Sequence, residues 1–214
     1  MLIAVITGAS SGLGKAIAHS LRNDFTVIDW SLPVVDLRKP ESVHAAALQI
    51  FKHVDVLVNC AGVNLPIDYL TKIQPEEWDA MLSVNTRGIW LTTKYLANMM
   101  RGGTILNIIS TAATQPMRYS LPYNASKAAA AMMTRQMARE LKATHDITVF
   151  GVSPGWLEDT PMTQATDKRL KQLRDLDPIN DRIEAATVAE FIAFLLSTKA
   201  RHRHLNGSII EYGQ

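Results

Sequence analysis

The sequence has a single cysteine, Cys60, so it cannot form an internal disulfide, and no Cys/His cluster has zinc-ligand spacing. These absences suit a reducing compartment, the cytoplasm, and a fold with no metal site. The chain also lacks an excess of charge. Lys and Arg total 22 against 20 Asp and Glu, a net charge of +2, and the only basic cluster is the short run Arg201-His202-Arg203-His204. That excludes the electrostatic footprint of a nucleic-acid binder. There is no long hydrophobic run either. The apolar start at residues 1–6 is too short to span a membrane, has no basic flank and leads straight into a glycine-rich turn, so it reads as a buried strand, not a signal peptide. What is present is 47% hydrophobic and 20% charged over 214 residues. Such a chain fits one folded domain, residues 1–214, that buries about 70% of the surface its unfolded form exposes. Its partners are expected to be small molecules and copies of itself, with no nucleic acid and no membrane.

Short apolar runs alternate with helix-length patterns throughout. Strand-like runs fall at residues 2–7, 25–28, 54–58, 103–109, 147–152 and 208–212. They carry little period-two alternation, as expected of strands buried on both faces of a parallel sheet. Helices are predicted at 13–22, 40–51, 74–100, 122–143 and 186–197. The alternation predicts βαβ units and a doubly wound α/β sheet with helices on both faces. Residues 159–184 are polar and charged, include Pro161 and Pro178, and contain a helical segment at 168–174 with two leucines for docking; this stretch is read as a substrate lid.

Thr7-Gly8-Ala9-Ser10-Ser11-Gly12-Leu13-Gly14 lies between the first strand and the first helix, the setting a dinucleotide fingerprint requires. Gly8 suits the tight turn, Gly12 the approach of backbone to a pyrophosphate, and Gly14 the close packing of helix on strand. The phosphates would rest on the first amides of the helix, where the partial positive charge favours anions. The architecture this predicts is a Rossmann-type sheet.

The spacing Gly-x3-Gly-x-Gly is one residue longer than the usual Rossmann form. It resembles the turn of the short-chain dehydrogenase/reductase family, and the resemblance continues in order along the chain. Asp36-Leu37 matches the adenine-contacting pair of that family, Asn59-Cys60-Ala61-Gly62 its Asn-Asn-Ala-Gly segment, and Asn85 the asparagine of its fourth helix. Ser110, Tyr123 and Lys127 match its catalytic residues, and Pro154-Gly155 with Thr160 its nicotinamide-side loop, although one extra residue separates Gly155 from Thr160. The resemblance implies a ketone/secondary-alcohol oxidoreductase that uses NAD or NADP, assembled as a homodimer or homotetramer through helices 74–100 and 122–143. It also implies cofactor contacts from Gly8, Ser10, Ser11, Gly12, Leu13, Gly14, Asn59, Ala61, Gly62, Pro154, Gly155 and Thr160, and a water-holding proton relay at Asn85 behind Lys127.

A tyrosine followed four residues later by a lysine is a weak signal alone, but Tyr123 and Lys127 fall one turn apart on one helix face and point into the same cleft. Free tyrosine titrates near ~10, so its use as a base at neutral pH needs a lowered pKa. A neighbouring ammonium such as Lys127 and an oxidised nicotinamide ring would both lower it, while Lys127 also offers donors to the nicotinamide ribose. Ser110, at the end of its strand, would hold the substrate oxygen toward Tyr123. Trp156 either closes the pocket beside the substrate or packs under the lid.

The second strand ends in Asp29-Trp30-Ser31. An acid at such a strand end bonds the ribose 2′-hydroxyl and repels a 2′-phosphate, and no basic residue occupies Ser11 or residues 30–32, so NAD is favoured over NADP. The connection to Asp36 is short, which leaves either Asp29 or Ser31 at the selectivity position. A catalytically silent nucleotide-binding protein of the same fold is the alternative, and the intact Asn85, Ser110, Tyr123 and Lys127 set argues against it. A nucleotide-sugar epimerase would need a larger C-terminal part than the roughly sixty residues after Pro154 provide.

Overall fold

Alternate residues along the strands divide the core between two faces of one sheet. Among the described residues, six parallel strands, β1 (Leu2–Thr7), β2 (Phe25–Trp30), β3 (Val56–Asn59), β4 (Thr104–Ile108), β5 (Thr148–Pro154) and β6 (Ile209–Tyr212), lie in the order β2-β1-β3-β4-β5-β6. The connecting helices are α1 (Gly12–Leu21), α2 (Pro40–Leu48), α3 (Pro75–Leu82), α4 (Gly88–Leu96), α5 (Leu121–His145), α6 (Pro161–Gln172) and α7 (Ala185–Leu196). The computed structural model describes residues 2–158, 160–174, 181–197 and 203–213. Of the expected lid, residues 159 and 175–180 lie outside the described residues, as do Arg201 and His202 of the basic run.

Ala4, Ile6, Val58, Leu106, Phe150 and Val152 face α1 and α7, meeting Ile17, Leu21, Val188 and Ile192. Their neighbours Val5, Leu57, Ile105 and Val149 face the other way, against Val43 of α2, Leu91 and Leu96 of α4 and Ala138 of α5. Both faces are therefore apolar, which explains the near-absence of alternation in the strand sequences. The strand order reverses direction of progress at β1 and β3. In open α/β sheets that is where a crevice forms beyond the carboxyl ends of the strands.

Several elements depart from the expected boundaries. β2 continues two residues past 28, so that Ile6 pairs with Asp29 and Thr7 with Trp30, and β5 runs on through Pro154. The expected helix at 74–100 is broken into α3, a π-helical turn at Ser83–Arg87, α4 and a short 3-10 turn at Ala97–Met99. The amide of Gly88 donates to Ser83 O, five residues back, which is the mark of one extra residue in the turn. The helical segment expected at 168–174 begins earlier, at Pro161, where proline starts the helix and Thr160 caps it by accepting from the Thr163 amide at 3.1 Å.

Candidate active site

At the carboxyl ends of β1, β3, β4 and β5 lies a cleft of about 550 Å³. Its floor is the turn after β1. Gly8 (φ 73°) and Gly12 (φ 50°) occupy left-handed backbone, and a Cβ on Gly8 would come within 2.9 Å of Ala61 Cα. A Cβ on Gly14 would sit 2.2 Å from Gly8 O, so only glycine allows α1 to start so close to the strand. The Thr7 hydroxyl accepts from the amides of both Cys60 and Ala61, each at 3.0 Å, and ties this turn to the end of β3. Ser11 at the start of α1 makes no side-chain cap, and the first turn carries no acid. Helix amides and dipole thus face the cleft without a side-chain partner, an arrangement that fits a dinucleotide's diphosphate. Ser10, Ser11, Gly12, Leu13 and Gly14 all line it.

The chemical groups gather at the other end. Ser110 follows β4, and its side chain hydrogen-bonds the Tyr123 phenol. Tyr123 and Lys127 lie one turn apart on α5, both buried, with Lys127 Nζ 5.8 Å from the centre of the Tyr123 ring and donating to Ile108 O at 2.9 Å. Burial pushes the Tyr123 phenol above its ordinary range, and the Ser110 hydrogen bond opposes that shift. Burial also pushes Lys127 down to about 8. From the sequence, Lys127 is expected to lower the tyrosine. In the chain by itself desolvation is the largest influence on the phenol, and the side chain that favours tyrosinate is Ser110. The Cys60 thiol, pushed up to about 12 by burial, stays protonated beside them.

Asn85 is wholly buried in the π-helical turn. Its Oδ1 accepts from Val63 N at 2.8 Å, and its Nδ2 donates to Val63 O at 2.8 Å and to Ser126 Oγ at 3.0 Å. The carboxamide therefore holds the strand-end loop against α5. It does not line the cleft, although it approaches Lys127 across Gly62, whose ideal Cβ position is 3.5 Å from Asn85 Oδ1 and 3.7 Å from Lys127 Nζ. Asn59 is likewise buried and outside the cleft wall. It donates to Asn107 Oδ1 at 2.9 Å and accepts from Thr92 Oγ1 at 2.7 Å, while Asn107 donates to Thr134 at 2.9 Å. That ladder braces β3 and β4 against α4 and α5, so Asn59 acts on the site through the frame.

At the β2 end the structure separates Asp29 from Ser31. Ser31 lines the cleft, accepts from Ser10 N at 3.1 Å and donates to Asp29, which is exposed and lies outside the cleft wall. Asp36 and Leu37 do line it. Arg38 grips both Asp36 oxygens, at 2.9 and 2.8 Å, and holds that carboxyl below its usual range. Ala61, Gly62, Pro154, Gly155 and Thr160 complete the wall. The Thr160 hydroxyl caps α6 and donates to Thr163 Oγ1 at 2.8 Å, because Thr163 has its own proton on Leu157 O; one lone pair of Thr160 stays open. Trp156 lines the cleft. Sequence reasoning missed Leu32, Arg38, Asn64, Met117 and Thr166 on the wall, because loop residues of these types carry no pattern until the loops converge. Thr7, immediately before Gly8, was the one signal within reach.

Among the described residues no helix is long and apolar enough to cross a membrane, and no group of His, Cys, Asp and Glu is placed to hold a metal. A family profile described as enoyl-(acyl carrier protein) reductase matches residues 5–211. The 3-oxoacyl-(acyl-carrier-protein) reductase of Vibrio cholerae is 31% identical over 239 residues, spanning 97% of this chain and 96% of its own. A solved 3-ketoacyl-(acyl-carrier-protein) reductase from Brucella melitensis, complexed with NADH, superposes with a TM-score of 0.84 at 29% identity, over 98% of this chain and 96% of that one. A short chain dehydrogenase from Burkholderia cenocepacia in complex with NADP does so with a TM-score of 0.83 at 27% identity, over 98% and 95%.

The lysine supplies a test of this geometry. Held near 8 when folded and at 10.5 when unfolded, Lys127 binds fewer protons in the folded chain across that window. Its penalty on stability is full below about 8 and is withdrawn as pH rises toward 10.5. Compared with Lys127→Met, the wild-type protein is expected to gain stability as pH is raised through this range, read from urea titrations at each pH. A difference that stays flat with pH would place the lysine in solvent.

Proposed function

The chain belongs to the short-chain dehydrogenase/reductase family and is an NAD(P)-dependent oxidoreductase interconverting a ketone and a secondary alcohol; we propose that Tyr123 is its acid/base, with Ser110, Lys127 and Asn85 as its assistants. The observation that carries this reading is the Ser110–Tyr123–Lys127 cluster, its tyrosine and lysine buried, at one end of a cleft whose other end is an uncapped helix start. The bound nicotinamide supplies or accepts the hydride. Tyr123 gives its phenol proton to the carbonyl oxygen in reduction and takes the hydroxyl proton in oxidation. Its raised pKa keeps the phenol protonated near neutral pH, the state reduction needs. Ser110 orients the substrate oxygen and favours tyrosinate in the reverse direction. Lys127 has two N–H donors left after Ile108 O, which suit the ribose hydroxyls, and its pKa of about 8 lets it return a proton toward Tyr123. Asn85 keeps residues 62–63 in place beside that lysine and serves the proton path behind it.

NAD is the favoured cofactor. Ser31 presents an oxygen to the adenosine end with the Asp29 carboxylate directly behind it, which suits a ribose hydroxyl and repels a 2′-phosphate. Of the basic side chains on the described cleft wall, Arg38 is held by Asp36 and Lys127 lies at the opposite end. The partner molecule is a small carbonyl or alcohol compound, and the cytoplasm, where nicotinamide nucleotides are plentiful, is its setting. Trp90 on α4 and Leu121 and Met132 on α5 are exposed, at 46%, 50% and 63%, and support pairing with a second copy through these helices.

Tyr123→Phe is expected to lower kcat for ketone-dependent NADH oxidation by about a hundredfold or more while leaving NADH affinity within a few-fold. Turnover at the wild-type rate would remove Tyr123 from the mechanism. Asp29→Asn is expected to shift the NADPH-to-NADH preference, measured as a ratio of kcat/KM values, by about tenfold toward NADPH. An unmoved ratio would detach Asp29 from cofactor choice. Light scattering at micromolar concentration should give a dimer or tetramer, and a monomer would refute the α4/α5 pairing.

A further inference from the structure

The substrate half of the cleft is walled mostly by apolar side chains, among them Leu65, Met117, Trp156 and Met162. Asn64 stands apart. It is 5% exposed, lies on the wall two residues beyond Gly62, and faces Thr166 of α6. The Thr166 hydroxyl donates to Met162 O at 2.9 Å, so its single proton is committed and it accepts from Asn64 Nδ2, at a long 3.5 Å. This fixes which way the carboxamide points. Oδ1 is left buried with no hydrogen-bond partner. A buried acceptor without a donor is unfavourable, and native chains rarely keep one without a use for it. The segment carrying Asn64 is held against α6 by Arg169, which donates to Ile67 O at 2.9 Å and pairs with Asp68. The unpaired oxygen thus belongs to a side chain on the cleft wall where the strand-end loop meets Thr166 of α6.

We infer that Asn64 is a specificity-determining residue whose Oδ1 accepts a hydrogen bond from a hydroxyl on the substrate, so that the enzyme acts on ketones bearing a hydroxyl group beyond the reacting carbonyl. This rests on the oxidoreductase reading above and deepens it. A molecule in the cleft, whose wall carries both Asn64 and Thr166, is the group placed to supply the missing donor. Ketones that offer only a methyl group there leave Oδ1 unpaired, and sites built to bond a hydroxyl discriminate strongly against such analogues.

The test uses the positional isomers of hydroxycyclohexanone, each paired with the corresponding methylcyclohexanone, assayed with NADH and the intact protein. The wild-type protein is expected to favour at least one hydroxylated member over its methyl counterpart by about tenfold or more in kcat/KM, and Asn64→Leu to bring that ratio close to one, mainly through KM. Thr166→Val removes the atom that orients the carboxamide and is expected to lower the same ratio several-fold; it carries the test if Asn64→Leu does not fold. The inference is overturned if the wild-type protein reduces these ketones with no preference in any pair, if Asn64→Leu keeps the preference, or if it weakens both members of each pair alike, as a purely structural residue would. Failure of the wild-type protein to reduce any ketone with either cofactor would overturn the oxidoreductase reading itself, and this inference with it.

Discussion

The structure turns on the joint between the end of β1 and the end of β3. There the Thr7 hydroxyl receives two successive amides of the 60–61 segment, and Gly14 brings α1 against Gly8 O at a distance that no Cβ tolerates. This single close approach sets the direction of α1, and with it the aim of the helix amides into the cleft. It also sets where residues 60–64 leave the sheet, and so how far Gly62 lies from Lys127 and where Asn64 meets α6. Loosening the joint would disturb the phosphate end and the substrate end together, because both hang from it.

A second layer of polar order stands behind the first. The ladder through Thr92, Asn59, Asn107 and Thr134 crosses the inside of the sheet, where each unpaired amide would be unfavourable, so its members hold one register. Asn85 plays the same part for the loop at Val63, using the extra residue of the π-helical turn to reach it. Neither asparagine lines the cleft, yet both fix the frame that Ser110, Tyr123 and Lys127 share. Burial then does the chemical tuning. It raises the phenol and depresses the lysine, so that at neutral pH the phenol is protonated and its neighbour is close to exchanging a proton.

Much of this was legible in the sequence. Strands buried on both faces, the glycine spacing after the first of them, and a tyrosine and a lysine one helical turn apart are local patterns, each produced by residues close in the chain. They pointed to a doubly wound sheet, a dinucleotide turn and the Tyr123–Lys127 pair, while Ser110 entered only through the resemblance to the short-chain dehydrogenase/reductase family. The break at Ser83–Arg87 was not legible, because a π-helical turn keeps the apolar spacing of an ordinary helix almost intact. The placement of Asp29 and Ser31 was not legible either. β2 runs two residues longer than its apolar run, which turns Ser31 toward the cleft and leaves Asp29 behind it.

By itself the sequence determined what neighbours along the chain decide: the alternation of strand and helix, the conformational freedom at Gly8 and Gly12, and the pairing of Tyr123 with Lys127 on one face of α5. Only the tertiary structure decided what depends on segments far apart meeting. It set the pKa of Tyr123 and Lys127, because desolvation is a property of the whole enclosure. It made Asn59 and Asn85 supports for the frame, because their partners lie twenty to fifty residues away. It also left one amide oxygen of Asn64 without a donor, which becomes apparent only when the loop carrying it and α6, about a hundred residues later, close on the same space.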